Sequence, residues 1–315
     1  MKEIIIDKSS ENQRFDKFLK KYFKEATGGF LYKMLRKKNI TLNGKKADGR
    51  EILKTDDVIR VFFSDETFSK MKGDFGNKKA ISLHVENMPP LDILFENEDF
   101  LAVNKQKNLL SQKAKKEDIS LNEMLLSYLY DKKKIKEESL HIFRPSVMNR
   151  LDRNTTGIVL FAKTLKGAQF LSEVIKDKDH PKIYRVIVKG CLSEKMLLKD
   201  YLIKDESNNT VSVLKEKTAN AKEIITGVKP LFTNGEITLA EVSLYTGRTH
   251  QIRAHLSFYG YPVIGDSKYG DKETNFHYKN KFKVTSQLLH AYGFYIPTVG
   301  NVTCNPPKIF DDVLS

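Results

Sequence analysis

At 315 residues, 40% of them hydrophobic, the chain is long enough to bury a sizeable core and is expected to form two domains, one of them small. Its net charge of +14 points to a polyanionic partner, because lysines and arginines gain binding free energy by releasing counterions from phosphates; a lysine-rich surface that is merely solvated is the alternative. No apolar run approaches the roughly 18 residues of a membrane span, the start Met1-Lys2-Glu3-Ile4 lacks the core of a secretion signal, and two cysteines, Cys191 and Cys304, exclude a disulfide framework or a Cys-based zinc site.

These exclusions make a cytoplasmic protein with no membrane partner the expectation, and the charge is unevenly spread. Residues 1–80 hold 20 Lys and Arg against 12 Asp and Glu, which places +8 of the +14 in the first quarter. From Gln13 to Ala26, Phe15, Phe18, Leu19, Tyr22 and Phe23 follow the spacing of an amphipathic helix, with Lys17, Lys20, Lys21 and Lys24 on the other face. Gly28-Gly29 is expected to break it. A second short helix follows, with Leu31, Met34 and Leu35 inward and Lys33, Arg36, Lys37 and Lys38 outward. Asn43-Gly44, after Ile40-Thr41-Leu42, predicts a hairpin turn, and Val58 to Phe63 a further strand.

Two small basic helices on a short hairpin, with Arg14, Asp16 and Leu19 in the first helix, resemble the α-L RNA-binding domain first known from a small-subunit ribosomal protein. The resemblance implies that the second helix and the following turn bind RNA, with Lys33, Arg36, Lys37 and Lys45 as phosphate contacts. This domain is assigned to residues 1–66. Residues 67–85, rich in Ser, Lys, Gly, Asp and Asn, read as a linker, and residues 86–315 as the second domain.

Leu91 to Lys105 reads as two strands around an acidic turn, and Leu121 to Tyr130 as a helix closed by Lys132-Lys133-Lys134, as a helix dipole prefers. Next comes Asn149-Arg150-Leu151-Asp152-Arg153-Asn154-Thr155-Thr156-Gly157, a polar turn-forming run, then the apolar Ile158-Val159-Leu160-Phe161-Ala162 of a buried strand. Asp152 therefore sits between two arginines on a loop braced by a strand. An acid beside fixed positive charge favours its ionised form and can act as nucleophile or base; read alone, it is far more often a turn residue bonded to nearby amides. Thr164 to Lys176 is helical, and Ile183 to Val188, Thr210 to Leu214 and Glu236 to Leu244 are strands. Without regular βαβ alternation the fold class is α+β, with a mainly antiparallel mixed sheet.

The richest polar run, Gly247-Arg248-Thr249-His250-Gln251-Ile252-Arg253-Ala254-His255, could cradle phosphates and still send one guanidinium inward. The glycines at 260, 265 and 270 fit neither a phosphate loop nor a dinucleotide fingerprint, so no nucleotide cofactor is expected. His250 and His255 lie five apart, not the four of a helical zinc pair, and no metal site is expected either.

Together these motifs resemble the RluA-type family of RNA pseudouridine synthases. Asn149-Arg150-Leu151-Asp152 with Thr155-Thr156-Gly157 stands where that family has His-Arg-Leu-Asp and Thr-Ser/Thr-Gly; Lys182-Ile183-Tyr184, Gly247 to Arg253, Gly265-Asp266 with Tyr269-Gly270, and Leu289-His290-Ala291 follow in order. The resemblance implies an isomerase that converts uridine to pseudouridine on a flipped-out base. Asp152 would be the nucleophile that detaches uracil from its ribose and lets it rejoin through carbon 5. Tyr184 would pack on the base and assist proton removal, and Arg253 would pair with Asp152. Arg150 would fill the gap left by the base, and Arg248 and His250 would grip flanking phosphates. No cofactor is needed for an isomerisation. Asn149 and Gln106 depart from the family's usual His and Pro.

The expected partner is large-subunit ribosomal RNA, with transfer RNA as the alternative, and the expected state is a monomer. Outside the resemblance, Tyr184 reads as core packing, Arg253 as a structural ion pair, and His255 and His290 as hydrogen-bonded core residues. A non-catalytic RNA-binding factor on the same fold is the rival. A hydrolase with paired carboxylates is disfavoured, because the motif supplies one acid.

Overall fold

The computed structural model describes residues 1–73, 85, 88–115, 117–135, 140, 142–205, 208 and 210–315. The first unit comprises β1 (Lys2–Ile5), α1 (Phe15–Tyr22), α2 (Gly28–Arg36), β2 (Ile40–Leu42), β3 (Lys45–Lys46), β4 (Val58–Val61) and α3 (Asp65–Lys72). Its four strands form one sheet in the order β1-β4-β2-β3. Asn43 and Gly44, at φ +51° and +74°, make the two-residue turn joining β2 to β3, with Leu42 opposite Lys45. Phe15, Phe18 and Leu19 of α1 and Leu31 and Leu35 of α2 share a buried core with Ile40, Ile59 and Val61 of the sheet.

Three expectations for this unit need correction. The first helix is shorter than 13–26, ending where Phe23 leaves helical geometry at φ −105°, ψ 76°. Gly28 and Gly29 do not break a helix but begin α2, because Thr27 caps it by accepting the Phe30 N–H at 3.3 Å. The expected linker begins inside α3, which Ser64 caps through the Thr67 N–H, with Asp65 and Glu66 in its first turn. Its one buried side chain, Phe68, packs edge-on to Phe23 at 5.5 Å, so a helix without an apolar period is still tied to the core. Residues 74–84 of the expected linker lie outside the described residues.

The second unit runs β5 (Asp92–Glu96), β6 (Phe100–Lys105), α4 (Leu121–Asp131), β7 (Ser146–Val147), β8 (Thr156–Ala162), α5 (Leu165–Lys176), β9 (Lys182–Lys189), β10 (Met196–Asp205), β11 (Thr210–Leu214), β12 (Lys222–Thr233), β13 (Ile237–Leu244), α6 (Gln251–Phe258), α7 (Lys272–Phe282), β14 (Leu289–Ile296), β15 (Gly300–Thr303) and α8 (Ile309–Leu314). Its sheet has the order β11-β10-β12-β13-β9-β14-β8-β6-β5, with β15 added to β14 and β7 to β8. The pairs are antiparallel except β14 with β8, so the fold is α+β with a mainly antiparallel mixed sheet.

All seven residues of β8 are buried, because the sheet is covered on both faces and the strand's period of two feeds two cores. Val159 and Phe161 join Leu101 and Val103 of β6, Leu125 and Leu129 of α4, and Ile252 and Leu256 of α6. Ile158, Leu160 and Ala162 join Phe100 and Ala102 of β6 and Leu171 of α5 on the other side. At roughly 1.5–3 kcal/mol for each large apolar side chain taken from water, this strand fixes the middle of the unit, and the loop entering it inherits that rigidity. Among the described residues no helix is long and apolar enough to cross a membrane.

Candidate active site

Asp152 lies on the loop between β7 and β8, held on three sides. Asn149 uses its amide as a backbone unit does: Nδ2 donates to the Ile158 carbonyl at 3.1 Å and Oδ1 accepts the Leu160 N–H at 2.7 Å. Ser111 Oγ accepts the Leu151 N–H at 3.0 Å. Lys105, fully buried, donates from Nζ to the carbonyls of Gln106, Leu109 and Arg153 at 3.0, 2.8 and 3.0 Å. Burial pulls its pKa down to about 7, while the charge of Asp152 opposes that fall. The loop closes on Gly157, at φ +106°, where a Cβ would lie 2.2 Å from the Ala291 carbonyl oxygen. Only glycine lets β8 and β14 come together there, and His290 bridges them, with Nδ1 2.7 Å from Thr156 Oγ1 and Nε2 2.8 Å from the Cys304 carbonyl.

Arg253 comes to Asp152 from α6. Its Nη1 donates to Asp152 Oδ2 at 2.8 Å, while Nε and Nη2 fork onto Oδ2 and Oδ1 of Asp266 at 2.6 and 2.7 Å. The Arg253 side chain is 6% exposed, that of Asp266 0% and that of Asp152 28%: the outer acid is the one that solvent reaches. Burial works against both charges of the inner pair, yet their mutual hydrogen bonds win, raising the Arg253 pKa and lowering that of Asp266. The helix itself is pinned to the sheet by His255, whose ring nitrogens meet Thr226 Oγ1 and Asp200 Oδ2, both at 2.9 Å, and by Gln251, which donates to Thr226 Oγ1 at 3.0 Å. His255 and His290 are thus hydrogen-bonded core residues.

Tyr184, on β9, is 6% exposed. Burial, helped by the charge of Asp152, raises its pKa, which favours the neutral hydroxyl. His250, expected to reach outward, turns in: its side chain is 8% exposed and Nε2 stands 3.9 Å from Asp152 Oδ2. The structure thus brings Arg253 and His250 to Asp152, and Tyr184 lies near enough to feel its charge. Arg150 is exposed on the loop itself. Arg248 stands in an open cleft with Tyr201, Lys217 and Lys222. In the first unit, Arg36 lines an open groove with Arg14, Tyr32, Lys46 and Arg50, whereas Lys33, Lys37 and Lys45 are exposed outside that lining.

Lys105, Ser111 and the role of Asp266 are not foreseen from residue pattern. Asp266 was visible only as part of Gly265-Asp266; Lys105 only as the end of an apolar strand. Among the described residues no three His, Cys, Asp or Glu side chains converge into a metal cage. What the arrangement offers is one partly exposed carboxylate, oriented by a buried guanidinium, with an imidazole 3.9 Å away.

A family model described as RNA pseudouridylate synthase matches residues 99–258, which include Asp152, Tyr184 and Arg253. An uncharacterized RNA pseudouridine synthase of Mycoplasma genitalium is 32% identical, over 94% of this chain and 89% of its own. Ribosomal large subunit pseudouridine synthase C of Buchnera aphidicola subsp. Baizongia pistaciae is 31% identical over 91% of this chain and 86% of its own. The solved structure of human RNA pseudouridylate synthase domain containing 4 shares the fold, with a TM-score of 0.55 at 20% identity over 70% of this chain and 90% of that one. With the family model covering half of its length and relatives aligned along nearly all of it, this chain belongs to the RNA pseudouridine synthases and is an isomerase that acts on RNA.

Proposed function

We propose that the chain converts uridines of large-subunit ribosomal RNA to pseudouridine, with Asp152 as nucleophile. The observation that carries this reading is the 2.8 Å bond from buried Arg253 to Oδ2 of a carboxylate that remains accessible to substrate. The guanidinium orients the acid and offsets its charge, so no conformational search precedes attack. A uridine everted from its stack enters beside Tyr184, whose neutral ring supports the uracil once its bond to ribose is broken. Asp152 bonds to C1′ of the ribose as the bond to N1 breaks; the freed base turns, its carbon 5 bonds to C1′ and expels the carboxylate, and the proton lost from carbon 5 is matched by one gained at N1, so product and substrate are isomers. The choice of RNA rests on relatives named ribosomal large subunit pseudouridine synthase C, at 31% identity, and D, from Borreliella burgdorferi, at 29%.

Residues 1–73 serve in this reading as an RNA-binding module. Its support is the groove lined by Arg14, Arg36, Lys46, Asp48 and Arg50 around Tyr32, in which Arg14 is held by Asp16 at 2.8 Å, so that Arg36, Lys46 and Arg50 can follow a phosphate backbone and a ring can stack on a base. Arg248, with Lys217 and Lys222, extends the basic surface on the second unit.

The test incubates the purified chain separately with large-subunit ribosomal RNA and transfer RNA transcripts and maps pseudouridine by carbodiimide labelling. New sites in the ribosomal transcript are expected, absent with Asp152→Asn, which should still bind RNA. Modification of transfer RNA alone would overturn the substrate assignment, and an active Asp152→Asn variant the assignment of the nucleophile.

A further inference from the structure

One titratable side chain at the site is left idle by the reaction as proposed. His250 precedes α6 in left-handed backbone, φ +52°, a conformation that a residue with a side chain keeps only where its surroundings fix it. That turn carries the imidazole to 3.9 Å from Asp152 Oδ2, the oxygen already bonded to Arg253. The other ring nitrogen, Nδ1, is 2.9 Å from the Tyr269 hydroxyl.

A carboxylate oxygen accepts, so hydrogen on Nε2 is the arrangement that suits Asp152 Oδ2, and the Tyr269 hydroxyl can then donate to Nδ1. Tyr269 Oη accepts the Val211 N–H at 2.9 Å, and its own single proton is then free for Nδ1. A neutral imidazole that accepts at Nδ1 carries its hydrogen on Nε2, the atom facing Asp152. Burial favours this neutral form by lowering the His250 pKa, against the opposing charge of Asp152. Tyr269 is in turn placed by the acid that clamps Arg253: Asp266 Oδ1 accepts the N–H groups of Lys268 and Tyr269 at 2.9 and 3.1 Å. Its ring also lies 5.3 Å from the Arg253 guanidinium. The two groups that face Asp152 Oδ2 therefore depend on one short loop, residues 266–269.

We propose that His250 is a positioning residue for the isomerisation, set by Tyr269 as an Nε2–H donor that closes onto Asp152 Oδ2 in the RNA complex and leaves Oδ1 as the reacting oxygen. Hydrogen bonds of this kind are commonly long in the free enzyme and tighten with substrate. Two donors on one oxygen fix the plane of the carboxylate and draw its charge to that side. The inference rests on the reading of Asp152 as nucleophile.

The experiment uses the full-length chain and the transcript on which it is active, measuring single-turnover rate by carbodiimide labelling and RNA affinity by filter binding. His250→Ala should slow the chemical step by about 10- to 100-fold with RNA affinity within about twofold. His250→Gln, which can place an amide N–H near the Nε2 position, should recover the rate to within about fivefold of wild type. Tyr269→Phe should slow the wild-type chain by about tenfold but not slow His250→Gln further, since an amide has no tautomer to set. An active Asp152→Asn variant would remove the underlying reading whatever His250 does. With that variant inactive, a full rate in His250→Ala overturns the inference, and lost affinity at unchanged rate assigns the imidazole to phosphate instead. His250→Gln as slow as alanine refutes the donor role. If His250→Ala fails to fold, the Tyr269→Phe and His250→Gln pair decides, additive losses counting against the proposal.

Discussion

Asp266→Asn separates the buried half of the ion-pair network from the reacting half without changing side-chain volume. In the native protein both oxygens of Asp266 bond to Arg253, and Oδ1 also accepts two backbone N–H groups. An amide retains one accepting oxygen but turns its NH2 toward a guanidinium that can only donate. Breaking a buried ion pair from one side costs about 3–5 kcal/mol. Because Arg253 keeps Asp152, itself 28% exposed and partly solvated, the low end, about 3 kcal/mol, is expected. With a urea m-value of roughly 3 kcal/mol per molar, the unfolding midpoint falls by about 1 M. The rate should fall further than stability alone requires. Arg253, no longer sharing its charge, holds Asp152 more tightly and loses the fork that orients it, so a loss of about 100-fold at saturating RNA is expected. Urea unfolding and single-turnover labelling of the same preparation measure both. A variant with the native midpoint and the native rate would show that the Asp266 fork neither stabilises the protein nor sets Arg253.

Glu96 tests the acid limb of stability. Burial opposes its charge, but hydrogen bonds from Lys134, Lys163 and Tyr128 prevail and bring its pKa from 4.5 to about 2. A lowered carboxylate pKa contributes stability that is complete above pH 4.5 and is lost as pH falls towards 2, here at most about 3 kcal/mol. The gap between wild type and Glu96→Gln should therefore close across that window, and a gap independent of pH would refute the assignment. Gly157→Ala places a Cβ 2.2 Å from the Ala291 carbonyl at φ +106°, at a cost of at least about 3 kcal/mol; native thermal unfolding of this variant would contradict the close approach of β8 and β14. Arg36→Gln and Arg50→Gln should each reduce the salt slope of RNA binding by about one while leaving the saturated rate alone, and unchanged slopes would exclude the groove as the RNA interface.

Much of the scaffold is legible in the chain because it depends on local pattern. The apolar run from Ile158 to Ala162 announces a strand buried on both faces, and Asn43-Gly44 announces its hairpin through backbone conformation that few other residues accept. Where the outcome depends on a single contact, pattern is silent. Phe68 is the one buried side chain of α3, with Met71 packed beside it, and a cap at Thr27, not any periodicity, makes Gly28-Gly29 a beginning instead of an end. The site divides the same way. Asp152 on a loop ahead of a strand follows from the residues around it, but its pairing with Arg253 spans 101 positions and was reached through resemblance. Lys105 is invisible as an interior group because the carbonyls that satisfy it belong to Gln106, Leu109 and Arg153, brought together only by the tertiary fold. The inward turn of His250 depends on one positive φ, which no side-chain pattern encodes.

The separation of Asp152 from Arg253 also orders events during synthesis. The carboxylate emerges first, its guanidinium follows 101 residues later, and β14, which supplies the neighbour of Gly157, comes later still. Until the last quarter of the polypeptide has been made, the acid is an ordinary side chain on a solvated loop, and long-range pairing of this kind closes slowly. If Asp152 is the nucleophile, a nascent fragment that ends before Arg253 is chemically silent, and competence arrives with the last part of the chain.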